Sequence, residues 1–325
     1  MIVGQELETW LADRRGQRRT QAAIDGFAAT WRDGPIHRRF DEILANLPQQ
    51  TAEAIADAMS ALFADVRWVD ALVEGLAAAL ADDPYFEPPF RVVSSDVHNG
   101  LLVFEDPRVS ISVGICGASQ LAAKKNGPRG RTSIGFTGQL TVLKFVRAGG
   151  ARLSFWEAPR IDAGFTAAGS GTCARTGERA IRDGEIVVVD GRYQTHVIEA
   201  ARANLVVLQA SITLDQAPLS VEYDSVGRAF VGCSATSDVA SRIQMITTLL
   251  RKLDWEAAFP VIVGLLDHPE FFVRWHVMKE LLGLDTAAAL PHLERMAARD
   301  PHPEARRAAR SVLERFGPAI PSKAA

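Results

Sequence analysis

The chain has 325 residues, of which 47% are hydrophobic and 23% charged, and its formal net charge at pH 7 is −3. This composition is that of an ordinary globular protein, and the length predicts two or three domains. The near balance of charge excludes a general attraction to nucleic acid or to an anionic membrane surface. Three widely spaced cysteines argue against a disulfide framework, and we find neither a signal-peptide pattern nor a long apolar run. We therefore expect a cytoplasmic protein.

Residues 1–83 are predicted to be helical. Apart from its ends, this region is rich in Ala, Leu, Glu, Asp and Arg and poor in Gly. After Thr51, apolar residues recur at helical spacing and share one stripe, which consists of Ile55, Met59, Leu62, Phe63 and Val66. Thr51, followed by Glu53 and Asp57, predicts a capped helix start at this point.

The segment 84–235 is predicted to be built from β-strands. It opens with the clustered prolines of DDPYFEPPF, which cannot continue a helix. About ten or eleven short runs rich in Val, Ile, Phe and Thr follow, spaced by about 8–12 residues and bounded by turn-forming residues. This spacing leaves no room for crossover helices. The pattern therefore predicts an antiparallel barrel or sandwich, and the number of strands suits a jelly roll.

Helical sequence returns over 236–317, where the chain repeats itself. HPEFFVRWHVMKELLG starting at His268 matches HPEARRAARSVLERFG starting at His302, an offset of 302 − 268 = 34 residues. Upstream, Pro260 matches Pro291 at an offset of 31, so the later copy holds three more residues between its helices. A two-helix unit with a period of ~30–45 residues is typical of an α-solenoid. Residues 318–325 are predicted to be a flexible tail.

These repeats resemble HEAT repeats. Residues 267–274, DHPEFFVR, match the D-x-P-x-x-x-V-R type of turn, and the later copy has Ala308 where the first has Arg274. With the helix predicted over 237–253, the resemblance covers about 80 residues. It implies an α-solenoid that serves as a docking surface for a protein partner.

The run from residue 182 to 212, RDGEIVVVDGRYQTHVIEAARANLVVLQASI, resembles the second conserved motif of the cupin superfamily. Gly184 and Gly191 match its turns, and His196 lies within one residue of its metal-binding histidine. The resemblance implies a jelly-roll barrel that binds a small ligand or a metal ion. Metal-bearing cupins take most ligands from an earlier His-x-His and Glu cluster. The equivalent strand here, ARLSFWEAPRI, offers Glu157 but no His-x-His.

Two interpretations of His196 stay open. A non-haem iron site needs about three protein ligands, commonly two imidazoles and a carboxylate. The set that this β-segment offers is His98, Glu157 and His196, with iron or manganese as the metal. The absence of a His-x-His motif favours the other interpretation, a hydrogen-bonded histidine in a protein without a cofactor.

The neighbours of His196 predict a polar pocket. Because side chains alternate along a strand, Arg192, Gln194 and His196 share one face. If this face points into the barrel, the three residues form a binding site for a carboxylate or another anionic ligand. If it points outward, they are ordinary solvated side chains.

Two loops are further candidates. AAKKNGPRGRTS carries Lys124, Lys125, Arg129 and Arg131 and is predicted to be a charged hairpin loop, with a phosphate or nucleic-acid contact as the alternative. The glycine-rich IDAGFTAAGSGTCARTGE is predicted to be a lid or binding loop in which Cys173 is a bystander rather than a reactive thiol. The sequence contains no P-loop and no GxSxG motif.

Together, these features predict an α+β multidomain protein with N-terminal helices, a central cupin-like antiparallel β-barrel or jelly roll, and a C-terminal HEAT-like α-solenoid. We expect an accessory or regulatory protein whose barrel binds a small ligand and whose repeats dock a protein partner. The alternative is a cupin-type metal-dependent oxygenase or isomerase, and a third reading is a transcriptional regulator. No catalytic residue is predicted, nucleic acid and membrane are not expected partners, and a homodimer stays open.

Overall fold

The computed structural model describes residues 5–126 and 133–316. The chain divides into two compact units that interleave along the sequence. The first unit takes the described part of Met1–Thr132 with Gln139–Trp156 and Arg175–Gln216. The second takes Ser133–Gly138, Glu157–Ala174 and the described part of Ala217–Ala325. This division differs from the predicted consecutive domains 1–83, 84–235 and 236–317, and the predicted tail 318–325 lies outside the described residues.

Five helices begin the first unit: α1 (Gln5–Ala12), α2 (Arg14–Arg32), α3 (Pro35–Ala45), α4 (Ala52–Leu62) and α5 (Arg67–Asp82). The Thr51 hydroxyl caps α4 as predicted, because it accepts a hydrogen bond from the amide of Ala54 at 3.2 Å. Ile55, Met59 and the rest of the predicted stripe are buried or packed on the core. The helical prediction for this region is confirmed. None of the helices described here is long and apolar enough to cross a bilayer.

Twelve strands occur in the described residues: β1 (Arg91–Ser94), β2 (His98–Asp106), β3 (Val109–Cys116), β4 (Ser133–Phe136), β5 (Leu140–Arg147), β6 (Arg152–Glu157), β7 (Ala174–Ala180), β8 (Ile186–Asp190), β9 (Gln194–Ala200), β10 (Leu205–Ile212), β11 (Leu219–Asp224) and β12 (Phe230–Ala235). They form three sheets, with the orders β1-β2-β3-β10-β5-β8, β12-β11-β4 and β7-β6-β9. All neighbours in the first two sheets are antiparallel, as predicted. The strands hydrogen-bond as three separate sheets, so the predicted antiparallel barrel or jelly roll is not a closed barrel.

Two loop predictions are also corrected. The charged segment predicted as a hairpin loop begins as a helix, α6 (Ala118–Asn126), since Gln120, Leu121 and the alanines beside them are good helix formers. The glycine-rich segment contains a short 3₁₀ helix (Ala167–Gly169), and β7 begins at its end. Every residue of β7 is exposed, so its sequence, ARTGERA, shows no apolar alternation that would have identified a strand.

The N-terminal helices and the six-stranded sheet share one hydrophobic core. Phe40, Ile55 and Met59 of the helices pack with Ile111, Val142, Leu208 and other residues on one face of the sheet, which we call the outer face. The indole of Trp31 adds a hydrogen bond to the carbonyl of Val103 at 2.8 Å. Side chains alternate along a strand, so the neighbouring residues of β3, β5 and β10 project from the opposite face of the sheet. We call this opposite face the inner face.

The second unit holds the repeats, in α7 (Asp238–Lys252), α8 (Phe259–Gly264), α9 (Phe271–Leu284), α10 (Thr286–Arg299) and α11 (Pro303–Phe316). The two copies recognised in the sequence are the pairs α8–α9 and α10–α11. They bury a common apolar cluster that includes Val273, Val277, Leu281, Leu293 and Ala309. Each pair therefore covers the apolar side of the next, as repeat proteins require.

A buried arginine joins the two copies. Arg274 forms a two-pronged ion pair with Asp300, at 2.8 and 2.7 Å, and donates to the carbonyls of His268 and Pro269, both at 2.8 Å. The later copy has Ala308 at the matching position. There, Arg306 donates to the carbonyls of Asp300 and Pro301, so the turn before α11 is held by an arginine two residues earlier in the repeat.

Candidate functional site

A second apolar cluster of the first unit lies on the inner face. It includes Cys116, Leu143, Phe145, Leu153, Val187 and Val207. Several polar side chains share this face. All of these residues belong to the first unit.

Strand β9 places His196 on the inner face. Ile198 packs against the inner-face cluster, and side chains two residues apart on a strand point the same way. Gln194 and His196 therefore share this side with Ile198. Of the two orientations left open by the sequence, the structure has the inward one.

Strand β2 places His98 on the same face. His98 is paired across the sheet with Cys116, a member of the inner-face cluster, and directly paired residues project to the same side. The imidazole lies over the paired Gly100 and Gly114. A Cβ atom at Gly114 would stand 2.5 Å from Nε2 of His98, and one at Gly100 would stand 3.1 Å from Cε1. These two glycines therefore provide the space that the ring occupies.

Both imidazoles are kept neutral. Burial lowers the pKa of His196 to about 4, and it also lowers the pKa of His98. Both residues are half-buried. Neither ring makes a hydrogen bond or ion pair to any residue within 5–126 or 133–316. A neutral imidazole has one donor and one acceptor nitrogen, so each ring can exchange hydrogen bonds with a bound molecule.

Strands β3 and β10 add the remaining polar groups. Gln209 is paired with Ser112 on one side and with Leu143 of the inner-face cluster on the other, which places Gln209 and Ser112 on the inner face. The Gln209 amide donates to the hydroxyl of Ser211 at 2.8 Å. Sequence analysis missed these residues. Their signal was the alternation of Gln209 and Ser211 with the apolar Leu208, Ala210 and Ile212.

Arg192 does not join this group. It lies in the turn between β8 and β9, where its guanidinium contacts Asp190 at 2.7 and 2.8 Å and Glu53 at 2.7 Å. The hydrogen bond to Asp190 and the one to Glu53 raise the pKa of Arg192, and the same arginine lowers the pKa of Glu53. The predicted grouping of Arg192 with Gln194 and His196 fails because residue 192 precedes the strand and is held by two carboxylates.

The predicted metal ligands do not form a metal site. Glu157 is an exposed residue at the end of β6, whereas His98 and His196 are half-buried. Among the residues that the structure describes, no group of three His, Cys, Asp or Glu side chains is arranged to hold a metal ion. The iron or manganese that the cupin resemblance implies therefore does not fit the arrangement of these residues.

Of the other predicted candidates, the structure describes the side chains of Lys124 and Cys173. Lys124 lies 3.3 Å from Asp96 in an exposed ion pair, while Arg129, Arg131 and the side chain of Lys125 fall outside the described residues. Cys173 is buried, and burial raises the pKa of its thiol, which disfavours the reactive thiolate.

A groove of about 750 Å³ lies on the outer face, between α5 and the sheet. It is lined mainly by aliphatic side chains such as Val73, Val113, Val146 and Val206, with Asp70, Glu74 and Arg147 among its lining residues. No histidine lines this groove. The two histidines and the other polar side chains described above lie on the inner face instead.

Comparison with known protein families supports the resemblance to HEAT repeats. Residues 233–314 match the family model "HEAT repeats", which confirms the prediction for the C-terminal helices. No curated protein matches the sequence.

The chain is also similar to solved structures of cupin proteins. An ectoine synthase from P. lautus aligns at 12% identity and a TM-score of 0.23, over 38% of this chain and 69% of its own. A cupin domain from Bordetella pertussis Tohama I aligns at 14% and 0.22, over 37% and 98%. Fe(II)-HppE aligns at 11% and 0.25, over 38% of this chain and 55% of its own, so about half of that protein is matched. The ligands and activities of those proteins are not thereby assigned to this chain.

Proposed function

We propose that the first unit binds a small, uncharged, hydrogen-bonding molecule on the inner face, and that the protein acts as an accessory or regulatory factor. The observation that carries this proposal is His196, a neutral, half-buried imidazole without a hydrogen-bond partner among the described residues. An imidazole without a protein partner keeps its donor and its acceptor for water or for a bound molecule. A molecule that bonds to His196 and His98 uses both rings, and Gln194, Ser112 and Gln209 lie on the same face.

The chemistry of the face favours an uncharged ligand over the anion expected from the sequence. Arg192, the predicted cation, is already neutralised by Asp190 and Glu53. The two imidazoles are uncharged at neutral pH, and the surrounding cluster is apolar. An anion would therefore lose its hydration without gaining a cation in return. Ligands with amide, lactam or hydroxyl groups match the donors and acceptors present.

For the second unit, the proposed role is to dock a protein partner. The support is the match of residues 233–314 to HEAT repeats and the stacked helix pairs that leave a continuous outer surface. In this arrangement, ligand binding and partner binding are assigned to different units of one chain.

Nitrogen-15 NMR of the histidine rings in the full chain tests the ligand proposal. The probes are acetamide and glycerol as uncharged ligands and acetate as the anion, each titrated at pH 7. We expect acetamide to shift the ring signals of His196 and His98, with His37 of α3 as the internal control that does not respond. His196→Phe removes the response.

Other outcomes of this titration contradict the proposal. A stronger response to acetate than to acetamide would restore the anionic ligand. No response of either ring to any probe would remove the ligand-binding role from this face. Joint broadening of the His98 and His196 signals by stoichiometric Mn²⁺ would replace the proposal with the metal-dependent alternative.

A further inference from the structure

A recess of about 410 Å³ opens on the second unit, between the turn that joins α8 to α9 and the C-terminal half of α10. Apart from Arg274, which is paired with an aspartate, four of its lining side chains are basic: His268 in the turn, and His292, Arg295 and Arg299 on α10. The three residues of α10 are spaced by three and four positions, so they lie on one face of the helix. The recess therefore gathers basic groups from two elements around one space.

The two arginines of α10 are not neutralised within the chain. Both Arg295 and Arg299 are exposed, and neither makes an ion pair with any residue of the described ranges. They stand four residues apart on the helix, where two like charges repel each other. The recess also contains the Arg274–Asp300 pair, which is neutral as a whole, and one exposed carboxylate, Asp267. The two guanidiniums therefore leave the recess with an excess of positive charge.

The repeat itself does not require these cations. In the first helices of the two copies, His292 of α10 corresponds to Val261 of α8, an offset of 292 − 261 = 31 residues. At the same offset, Arg295 corresponds to Gly264. The helix dipole favours a cation at Arg299, in the last turn of α10, but this effect does not extend beyond that turn to Arg295. The basic face is therefore specific to α10 and needs another explanation.

The two histidines add hydrogen-bond donors. Nδ1 of His268 accepts the amide N–H of Glu270 at 3.1 Å, so the neutral ring carries its proton on Nε2. This N–H makes no hydrogen bond to any residue within the described ranges, and neither does the ring of His292. Both rings are half-buried. The recess therefore presents two planar guanidiniums and two imidazoles, a set that suits an anion with several acceptor oxygens.

We infer that this recess binds a phosphoryl group. Such a group carries about two negative charges and three strong acceptor oxygens, so it can accept hydrogen bonds from both guanidiniums and from His268 at once. A free phosphate compound and a phosphorylated side chain of a partner both carry this group. The inference depends neither on a ligand of the inner face nor on the docking role proposed for the repeats. Because both arginines are exposed and screened by salt, we expect a dissociation constant on the order of 1 mM for inorganic phosphate.

Nitrogen-15 NMR of the full chain tests the inference, with inorganic phosphate titrated at pH 7 and constant ionic strength. We expect saturable shifts of the ring signals of His268 and His292, whereas His37 of α3 does not respond. Acetate offers fewer charges and fewer acceptor oxygens, so it should bind at least about fivefold more weakly.

Substitution of the arginines tests the site. Arg295→Gln and Arg299→Gln should each weaken phosphate binding about fivefold, because each removes charge-assisted hydrogen bonds from an exposed site. Arg242→Gln is the matched control. Arg242 is an exposed arginine of α7 that makes no ion pair with a described residue and does not line the recess. Its loss changes the net charge equally and should leave the affinity unchanged. Circular dichroism confirms that the three variants remain folded.

A short phosphoserine peptide identifies the source of the phosphoryl group. Tighter binding of the peptide than of inorganic phosphate assigns the recess to a phosphorylated partner, and equal or weaker binding assigns it to a free phosphate compound. No saturable response of either ring to phosphate or peptide overturns the inference, as does equal weakening by Arg242→Gln. Acetate that binds as tightly as phosphate overturns the phosphoryl group as the ligand. The His196 signal is read in the same spectra, so this result is separate from the fate of the ligand proposal.

Discussion

Two sets of polar side chains, one in each unit, are treated in opposite ways. In the repeats, Arg274 and Asp300 satisfy each other completely, and Glu280 receives Arg251 and the hydroxyl of Thr248. On the inner face of the first unit, the rings of His196 and His98 have no partner among the described residues. Completed groups hold a structure together, whereas incomplete ones are available to a ligand. The comparison predicts that substitutions in the repeats change stability and that substitutions of the two histidines change binding and pH response.

The largest loss of stability is expected from breaking the ion pair between Arg274 and Asp300. Arg274→Leu leaves the Asp300 carboxylate buried without its partner and should lower the free energy of unfolding by about 3–5 kcal/mol. Urea denaturation followed by circular dichroism measures this change. Arg295→Leu removes an exposed arginine of α10 and should change the stability by less than about 0.5 kcal/mol. Equal effects of the two substitutions would show that burial of the pair has no special role.

His196, which has no protein partner among the described residues, should make the stability depend on pH. The folded-state pKa of His196, about 4, lies below the ordinary value of 6.5, so the unfolded chain binds the proton more readily between these values. Stability is therefore retained above pH 6.5 and is lost as the pH falls towards 4. The loss is at most about 3 kcal/mol, and less to the extent that water reaches the half-buried ring.

His196→Gln should flatten this dependence between pH 6.5 and 4 in chemical denaturation series. His37→Gln, which changes a histidine of α3 outside the inner face, should retain the slope of the unchanged protein. An unaltered slope in His196→Gln would mean that the ring is already well solvated, and the contrast with the repeats would disappear.

A substitution that fills the space around His98 should cause a smaller, local loss of stability. In Gly114→Ala, the new methyl group would stand 2.5 Å from Nε2 of His98 and 2.8 Å from the carbonyl of Asn99, so the ring must move. We expect a loss of about 1–3 kcal/mol and a shift of the His98 ring signal in NMR spectra. Gly135→Ala in β4 meets nothing within 4 Å and is the matched control, with a stability change near zero.

The smallest effect is expected from an ion pair at the surface. Arg91 and Glu105 lie 2.9 Å apart on β1 and β2, and both side chains are mostly exposed. Because water screens this pair, Arg91→Gln should change the stability by less than about 1 kcal/mol. Thermal unfolding in low and high salt measures it, and a loss comparable to that of Arg274→Leu would invalidate the use of burial to rank these groups.

Local sequence signals predicted the elements well where one face of an element is buried. The stripe of α4, the cap at Thr51, the repeat of α8–α9 in α10–α11 and eleven of the strands follow from periodicity and turn residues. The exception is β7, whose side chains are all exposed, so that burial left no pattern in its sequence. Helix α6 was missed because a nearby Gly-Pro turn dominated the interpretation of that segment.

The candidate site was predicted only in part. His98, Gln194 and His196 were recognised as polar residues in a β-rich segment, and the alternation along β9 correctly grouped Gln194 with His196. The same alternation wrongly included Arg192, because the point where the turn ends and the strand begins cannot be read from GRYQTH alone. Gln209 and Ser112 were missed because their pairing depends on the register of two strands that lie far apart in the chain.

The sequence by itself determined the helical ends, the antiparallel β-rich centre and the HEAT-like repeat, because each depends on residue spacing within a short segment. Only the tertiary structure decided that the N-terminal helices share a core with the sheet and that the strands form three sheets. It also decided that Arg192 is bound by Glu53, a residue 139 positions away, and that His196 faces the apolar inner side. These properties depend on which distant residues meet, and the pairing of distant residues is not encoded in local periodicity.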